Sequence, residues 1–379
     1  MKIVIDVRRV SDFGIGTYIR NLVHALAEVD HQTNRYVLVT PWEQAPDWSG
    51  LPPNFEIAAY ERKDTDPLDH LTLPAYLRRF KADLAHFPFN RVPLLMTRPF
   101  VVTVHDLSSL LFEERKGLRQ DLRRYRFRRG LTRAERVIAV SAATRRDVES
   151  LLGIAPERLR LVYSAPEPQF FRREITPGEG DAERQQILER YQIQYPFLLY
   201  TGSIRPQKNV PRLVEAFAVA REALSDHPEF RDLRLIIIGD EISRYPDVRR
   251  AVIQSRVEQE VRFLGFVPLE TLRVFYQSAT AFVFPSLYEG FGLPPLEAMA
   301  AGTPVITSSS SSLPEAVGDA AVLVNPENVF DIARGIKEVL FSPELRERLA
   351  AAGPKQASRF NWERTAREVL NIYREVAGD

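Results

Sequence analysis

Cysteine is absent from this sequence, and only three methionines and three tryptophans occur in its 379 residues. Disulfides, thiol catalysis and zinc sites built on cysteine are thereby excluded, and a reducing compartment is expected, hence a cytoplasmic location. An excess of charge of one sign is also lacking. Lysine and arginine number 51 against 50 acids, so no global field calls for nucleic acid and none is expected as a partner. Nowhere do 18 apolar residues run together, and the chain enters a strand-like run at Lys2 without a charged and then apolar leader. The expectation is a protein that neither spans a membrane nor is secreted. What is present is ordinary globular material, 45% hydrophobic, and at roughly 150 residues per domain the length suits two domains.

In the first half, Lys2 to Val7 is a short apolar run, read as a buried strand. A loop carrying Gly14 and Gly16 follows, and from Thr17 the residues Ile19, Leu22, Val23, Leu26 and Ala27 recur at helical spacing. A dinucleotide fingerprint would need a third glycine where Ile19 stands, so a dehydrogenase is disfavoured. A pair of glycines after a first strand also serves as a plain tight turn. Further strands are expected at 36–39, 55–58, 84–87, 100–104, 137–140 and 159–162, with helical stretches between several of them. Such alternation gives a parallel sheet with helices on both faces and places reactive groups at the carboxyl ends of strands. His105 falls at one of these ends. His24, His31, His70, His86 and His227 have no such address and are read as structural.

Between Glu113 and Arg136 ten lysines or arginines face four acids. A solvated helical face is the plain reading. The functional one is attraction to an anionic acceptor or an anionic membrane surface. Proline and glycine between Ser164 and Gly180 punctuate a linker, and the boundary is set there, with domains at 1–170 and 171–360 and a terminal helical segment at 361–379. Asp64-Thr65-Asp66 spells a metal-binding pattern but lacks an apolar strand leading into it, so we read an exposed loop and expect no metal.

The second half repeats the alternation, with strands at 197–201, 233–238, 261–263, 281–284, 305–307 and 321–324. Arg205 and Lys208 lie just beyond the first of these, where two cations suit a diphosphate. The densest signal runs from Phe284 to Ile306: a strand, a loop with Glu289, Gly290, Phe291 and Gly292, then a helix opened by Leu293, Pro294 and Pro295 and carrying Glu297. Glycines let backbone amides approach a ligand, and the helix dipole favours phosphate at the same spot. Carboxylates beside an anion seat are best explained by hydroxyl groups in need of acceptors, which together suggests a sugar nucleotide. A bare turn and a dipole-complementing glutamate is the plainer alternative. Ser308 to Ser312 reads as a flexible loop.

The block Glu-Gly-Phe-Gly-Leu-Pro-Pro-Leu-Glu-Ala-Met-Ala-Ala-Gly-Thr-Pro-Val from Glu289 resembles the signature of the retaining glycosyltransferases of family four, also called glycosyl transferases group one. The resemblance covers nearly the whole chain. It implies the GT-B fold, two Rossmann-like α/β domains with parallel sheets facing a cleft, and a last helix that crosses back to the first domain. It implies transfer of a hexose from a nucleoside diphosphate sugar to the hydroxyl of an acceptor glycan or lipid-linked glycan, with retention at the anomeric carbon and no metal or other cofactor. GDP-mannose is the donor it points to, before UDP-sugars. By the same resemblance, Gly14 and Gly16 border the donor phosphates, His105 lies near the transferred sugar, and the backbone at Phe266 and Val267 meets the base. Glu289 and the backbone of Phe291 to Leu293 would hold the sugar, and Glu297 the ribose. Ser203 departs from the family, many of whose members carry arginine directly after that glycine. A nucleotide-sugar epimerase, a sugar phosphorylase and a non-catalytic nucleotide-sugar-binding protein are the alternatives.

Overall fold

The computed structural model describes residues 1–12, 14–31, 33–112, 118–171 and 179–378, apart from the side chains of 118–120, 123 and 179–181. The elements run, in order, β1 (Lys2–Asp6), α1 (Ile15–Val29), β2 (Arg35–Thr40), β3 (Phe55–Ala59), α2 (Asp69–Arg78), β4 (Leu84–Phe87), β5 (Phe100–Val104), α3 (Ser108–Leu111), α4 (Leu118–Arg133), β6 (Arg136–Ala139), α5 (Ala142–Leu152) and β7 (Leu159–Leu161). Then come α6 (Glu179–Arg190), β8 (Phe197–Gly202), α7 (Val210–Glu222), β9 (Arg234–Gly239), α8 (Pro246–Gln254), β10 (Val261–Gly265), α9 (Leu269–Ser278), β11 (Ala281–Phe284) and α10 (Leu293–Ala300). The chain closes with β12 (Val305–Ser308), α11 (Leu313–Val317), β13 (Val322–Val324), α12 (Val329–Phe341), α13 (Pro343–Ala357) and α14 (Trp362–Ala377).

The strands form two sheets, one ordered β3-β2-β1-β4-β5-β6-β7 and the other β10-β9-β8-β11-β12-β13. Every pairing is parallel, from Lys2 beside Arg35 in the first sheet to Ser308 beside Val324 in the second. Parallel sheets need cover on both faces, which is why strands such as β5 and β11 are buried at every residue and read as near-continuous apolar runs. The fold is therefore α/β, with two Rossmann-like sheets, as expected.

Two compact units result: 1–165 with 360–379, and 166–359. The sequence boundary was set at 170/171, whereas the division falls at 165/166, because Phe170 is fully buried and meets the Tyr276 ring edge-on in the second unit. The expected linker thus contains packed residues at its start and the first turn of α6 at its end, and 172–178 lie outside the described residues. α14 belongs to the first unit, where its Tyr373 hydroxyl sits 2.6 Å from Nδ1 of buried His86.

Strand order reverses between β1 and β4 in the first sheet and between β8 and β11 in the second. Loops leaving such strands diverge at their carboxyl ends and leave a crevice there. Lys208 follows β8 and Glu289 follows β11, so topology alone brings these two residues to one switch point.

Candidate active site

In the second unit, Nζ of Lys208 donates to both carboxylate oxygens of Glu289, at 2.6 and 2.8 Å, and lies 5.4 Å above the Phe284 ring. Both side chains are largely buried, 17% and 10% exposed. The sequence assigned them to different parts of a ligand, and the structure joins them directly. Lys208 ends a single 3-10 turn (Pro206–Lys208), after which Asn209 adopts a left-handed conformation, φ 61°, and leads into α7. The Asn209 amide donates to the carbonyls of Pro285 and Pro326, at 3.0 and 2.7 Å, and Leu287 N–H donates to the Gln207 carbonyl at 2.8 Å. The two loops are thus stitched backbone to backbone. Arg205 is exposed and makes no ion pair among the described residues.

Gly290, Phe291 and Gly292 complete the loop, with Phe291 buried. Gly292 has φ 111°, and a Cβ added there would stand 2.8 Å from Cδ2 of Leu313. It is the N-cap of α10, which has no side-chain cap and no acid in its first turn. Leu293 opens the helix. Pro294 and Pro295 have no N–H to offer, so Leu293 supplies the first-turn amide, which no side chain caps and which with the helix dipole favours an anion in front of it. Ser308 to Ser312 is an ordered clasp, contrary to the flexible loop expected. Ser311 and Ser312 hydroxyls donate to the Glu289 carbonyl at 2.7 and 3.0 Å, Ser312 also donates to that of Phe291 at 2.9 Å, and Ser308 donates to that of Ser286 at 2.6 Å.

Glu297 lies in the second turn of α10 and accepts from the Tyr276 hydroxyl at 3.0 Å. Burial drives its pKa up to about 7, the tyrosine bond opposes this, and the neighbouring Glu167 carboxylate adds to it. Tyr276 and Glu167 were missed in the sequence, since an aromatic at helical spacing reads as core and Glu167 sits among prolines. Beyond β10, Phe266 is 74% exposed while Val267 is 3% exposed. Asp240, also missed, accepts from Ile204 N–H at 2.9 Å and from the Tyr245 hydroxyl at 2.8 Å, and so anchors the turn that carries Arg205 and Lys208.

In the first unit, His105 follows β5. Its Nε2 is 2.9 Å from the Pro88 carbonyl, and its ring meets Tyr18 edge-on at 4.8 Å. A carbonyl only accepts, so Nε2 carries the proton. Burial lowers the His105 pKa, against opposing contributions from the Pro88 bond and Asp106, and the neutral ring keeps Nδ1 as an acceptor. Gly14 is the exposed N-cap of α1. Gly16 is buried, and a Cβ there would lie 2.1 Å from the Val10 carbonyl oxygen, so close backbone approach within the unit already requires glycine. Asp64 and Asp66 lie partly buried on the expected loop, where Glu61, Lys63 and Thr65 are exposed, and each carboxylate is paired. Arg9 donates to Asp64 at 2.6 and 2.8 Å, and Arg62 donates to Asp66 at 2.5 Å. Among the described residues no cluster of three or more His, Asp or Glu is disposed to hold a metal, and no helix is long and apolar enough to cross a membrane.

Two Rossmann-like units, one with a cation, a carboxylate and an uncapped helix start at its switch point, define a GT-B glycosyltransferase. The chain belongs to the glycosyltransferases described as Glycosyl transferases group 1, matched over residues 183–356, and Glycosyltransferase Family 4, matched over 14–169. It is 32% identical over 303 residues to the O-antigen chain mannosyltransferase B of Escherichia coli, covering 79% of this chain and 76% of that one. It is 30% identical over 269 residues to a serotype-specific mannosyltransferase of Escherichia coli, covering 70% of this chain but only 32% of that longer protein. In structure it resembles Anabaena HepE, solved in complex with UDP-glucose, with TM-score 0.76 and 17% identity over 99% of this chain and 100% of that one.

Proposed function

We propose that this glycosyltransferase moves a mannosyl group from GDP-mannose to a glycan or lipid-linked acceptor hydroxyl, with retention and without a metal. The Lys208–Glu289 pair beside the open end of α10 carries the reading. A diphosphate in front of α10 meets the Leu293 N–H and the positive end of the helix dipole, with Lys208 within reach and Arg205 on the preceding turn, and these groups stabilise the charge that grows on it as the glycosidic bond breaks. Glu289, released from Lys208, accepts from sugar hydroxyls, and Glu297 does the same for ribose. In the first unit His105 offers Nδ1 to a sugar hydroxyl. The Asp-X-Asp carboxylates are committed to Arg9 and Arg62, which supports chemistry without a metal at that loop. The mannosyltransferase relatives support mannose.

The test separates binding from chemistry. Glu289→Gln should lower transfer about a hundredfold while GDP itself binds as well or better, because Lys208 is freed, whereas Lys208→Ala should weaken GDP binding. NMR of the product should show the donor's anomeric configuration, and full activity should persist in EDTA. Unchanged turnover in both variants, or an inverted product, would overturn the reading.

A further inference from the structure

Polar groups on one face of the first sheet meet an aromatic side chain of α1. Thr103 and His105 stand two residues apart at the carboxyl end of β5, so both leave it on that face. Tyr18 of α1 packs over them and is fully buried. Its hydroxyl is 3.4 Å from the Thr103 hydroxyl, and its ring lies 4.8 Å from the His105 ring with 83° between the planes. The Trp362 ring of α14 also meets Tyr18, at 5.7 Å and 67°. Thr103 is itself anchored, 2.8 Å from Nε2 of His86, whose Nδ1 is 2.6 Å from the Tyr373 hydroxyl. Tyr18 is therefore held at its tip by Thr103 and along its ring by Trp362, with His105 as a third contact.

The His105 backbone is secured without help from Tyr18, since its N–H donates to the Asn90 side-chain oxygen at 3.4 Å and its carbonyl accepts from the Thr144 hydroxyl at 3.3 Å. Its ring has a single hydrogen bond among the described residues, from Nε2 to the Pro88 carbonyl. A ring tied only at Cβ and Nε2 can still rock about the line between them, which swings Nδ1 sideways. A second ring packed at nearly a right angle opposes that motion, because close packing and the aromatic quadrupole both favour the edge-to-face arrangement. Burial raises the Tyr18 hydroxyl to about 12, so it keeps its proton and is neither an acid nor a base for the reaction. What it contributes is geometry.

We propose that Tyr18 is a positioning residue: its ring, held by Thr103 and Trp362, fixes the plane of the His105 imidazole and so aims Nδ1 at the sugar hydroxyl. This rests on the role given to His105 in the proposed function, and two measurements separate the two roles. Long-range proton–nitrogen NMR of the ligand-free protein reads the His105 ring directly. The parent should show sharp signals of the Nε2–H form, and Tyr18→Met, which keeps apolar volume but not the ring, should broaden them or mix in the Nδ1–H form. Release of GDP from GDP-mannose without acceptor reads the chemistry. There Tyr18→Met should lower kcat about tenfold with KM for GDP-mannose within about twofold, Tyr18→Phe should recover most of the loss, and His105→Ala should cost at least as much as Tyr18→Met. In the His105→Ala background Tyr18→Met should change kcat by less than about twofold, whereas a ring that only supports the fold would cost the same in both. Trp362→Phe trims the support of Tyr18 and should lower kcat about threefold with the same dependence on His105, which keeps the test open if circular dichroism shows Tyr18→Met unfolded. Unperturbed His105 signals in folded Tyr18→Met, or losses of equal size with and without His105, overturn the proposal. A His105→Ala variant as active as the parent overturns the role of His105 and the proposal with it.

Discussion

Glu297 is a carboxylic acid held near the midpoint of its titration at neutral pH, with burial as the main cause. Its folded-state pKa of about 7 lies above its ordinary 4.5, so between those values the native state keeps a proton that the unfolded chain has lost. Stability of the ligand-free protein is then greatest below about 4.5 as far as this group is concerned, and falls as pH rises toward 7, after which the contribution is constant. Calorimetric melting from pH 5 to 8 should show this decline in the parent. Glu297→Gln should flatten it, and an identical slope in the variant would assign the decline to other groups. Hydroxyls that donate to Glu297 stabilise its ionised form, so a bound ribose would pull the pKa back down.

At the scale of elements, the segment from β11 to α10 is fixed less by its own sequence than by what holds it from outside: Gln207, Asn209, Ser311 and Ser312 all bond to its backbone. Gly292 is where this segment turns into the helix. Gly292→Ala combines a left-handed φ with a Cβ pressed on Leu313, and should cost about 1–3 kcal/mol in urea unfolding and weaken donor binding in parallel. A variant as stable as the parent would show that the loop can reshape freely. The strands and the glycine loops were legible in the sequence because fully buried parallel strands leave near-continuous apolar runs such as Phe197 to Thr201 and Val305 to Thr307. The clasp was not, because a run of five serines has the composition of a loop and only three-dimensional placement shows which carbonyls its hydroxyls meet. Likewise the Lys208–Glu289 contact joins residues 81 apart. Each residue was readable on its own, and the pairing required strand order.

On the scale of the whole molecule, the first unit is built from two separate stretches of chain. Its last piece, α14, contributes Trp362, whose ring lies 5.7 Å from that of Tyr18, and Glu375, which accepts from both Arg136 and Arg160 beside β6 and β7. The deepest tie is Tyr373 to His86, whose other nitrogen is 2.8 Å from the Thr103 hydroxyl. Burial lowers the His86 pKa to about 3, so the ring is neutral and relies on these two partners. Tyr373→Phe leaves Nδ1 of His86 buried without its partner and should cost about 1–3 kcal/mol in chemical denaturation, with the loss appearing in the first unit by hydrogen exchange. A silent substitution would mean that water takes the hydroxyl's place.

That discontinuity has a consequence during synthesis. The stretch up to Ala165 leaves the ribosome before all of 166–359, yet its docking partner for Tyr18 and His86 is translated after them. At roughly 5–20 residues per second the wait is on the order of ten to forty seconds, while the later-made half can already finish. For that interval the nascent chain shows an open apolar slot where α14 will lie, so the earlier-made half is the one in need of a chaperone.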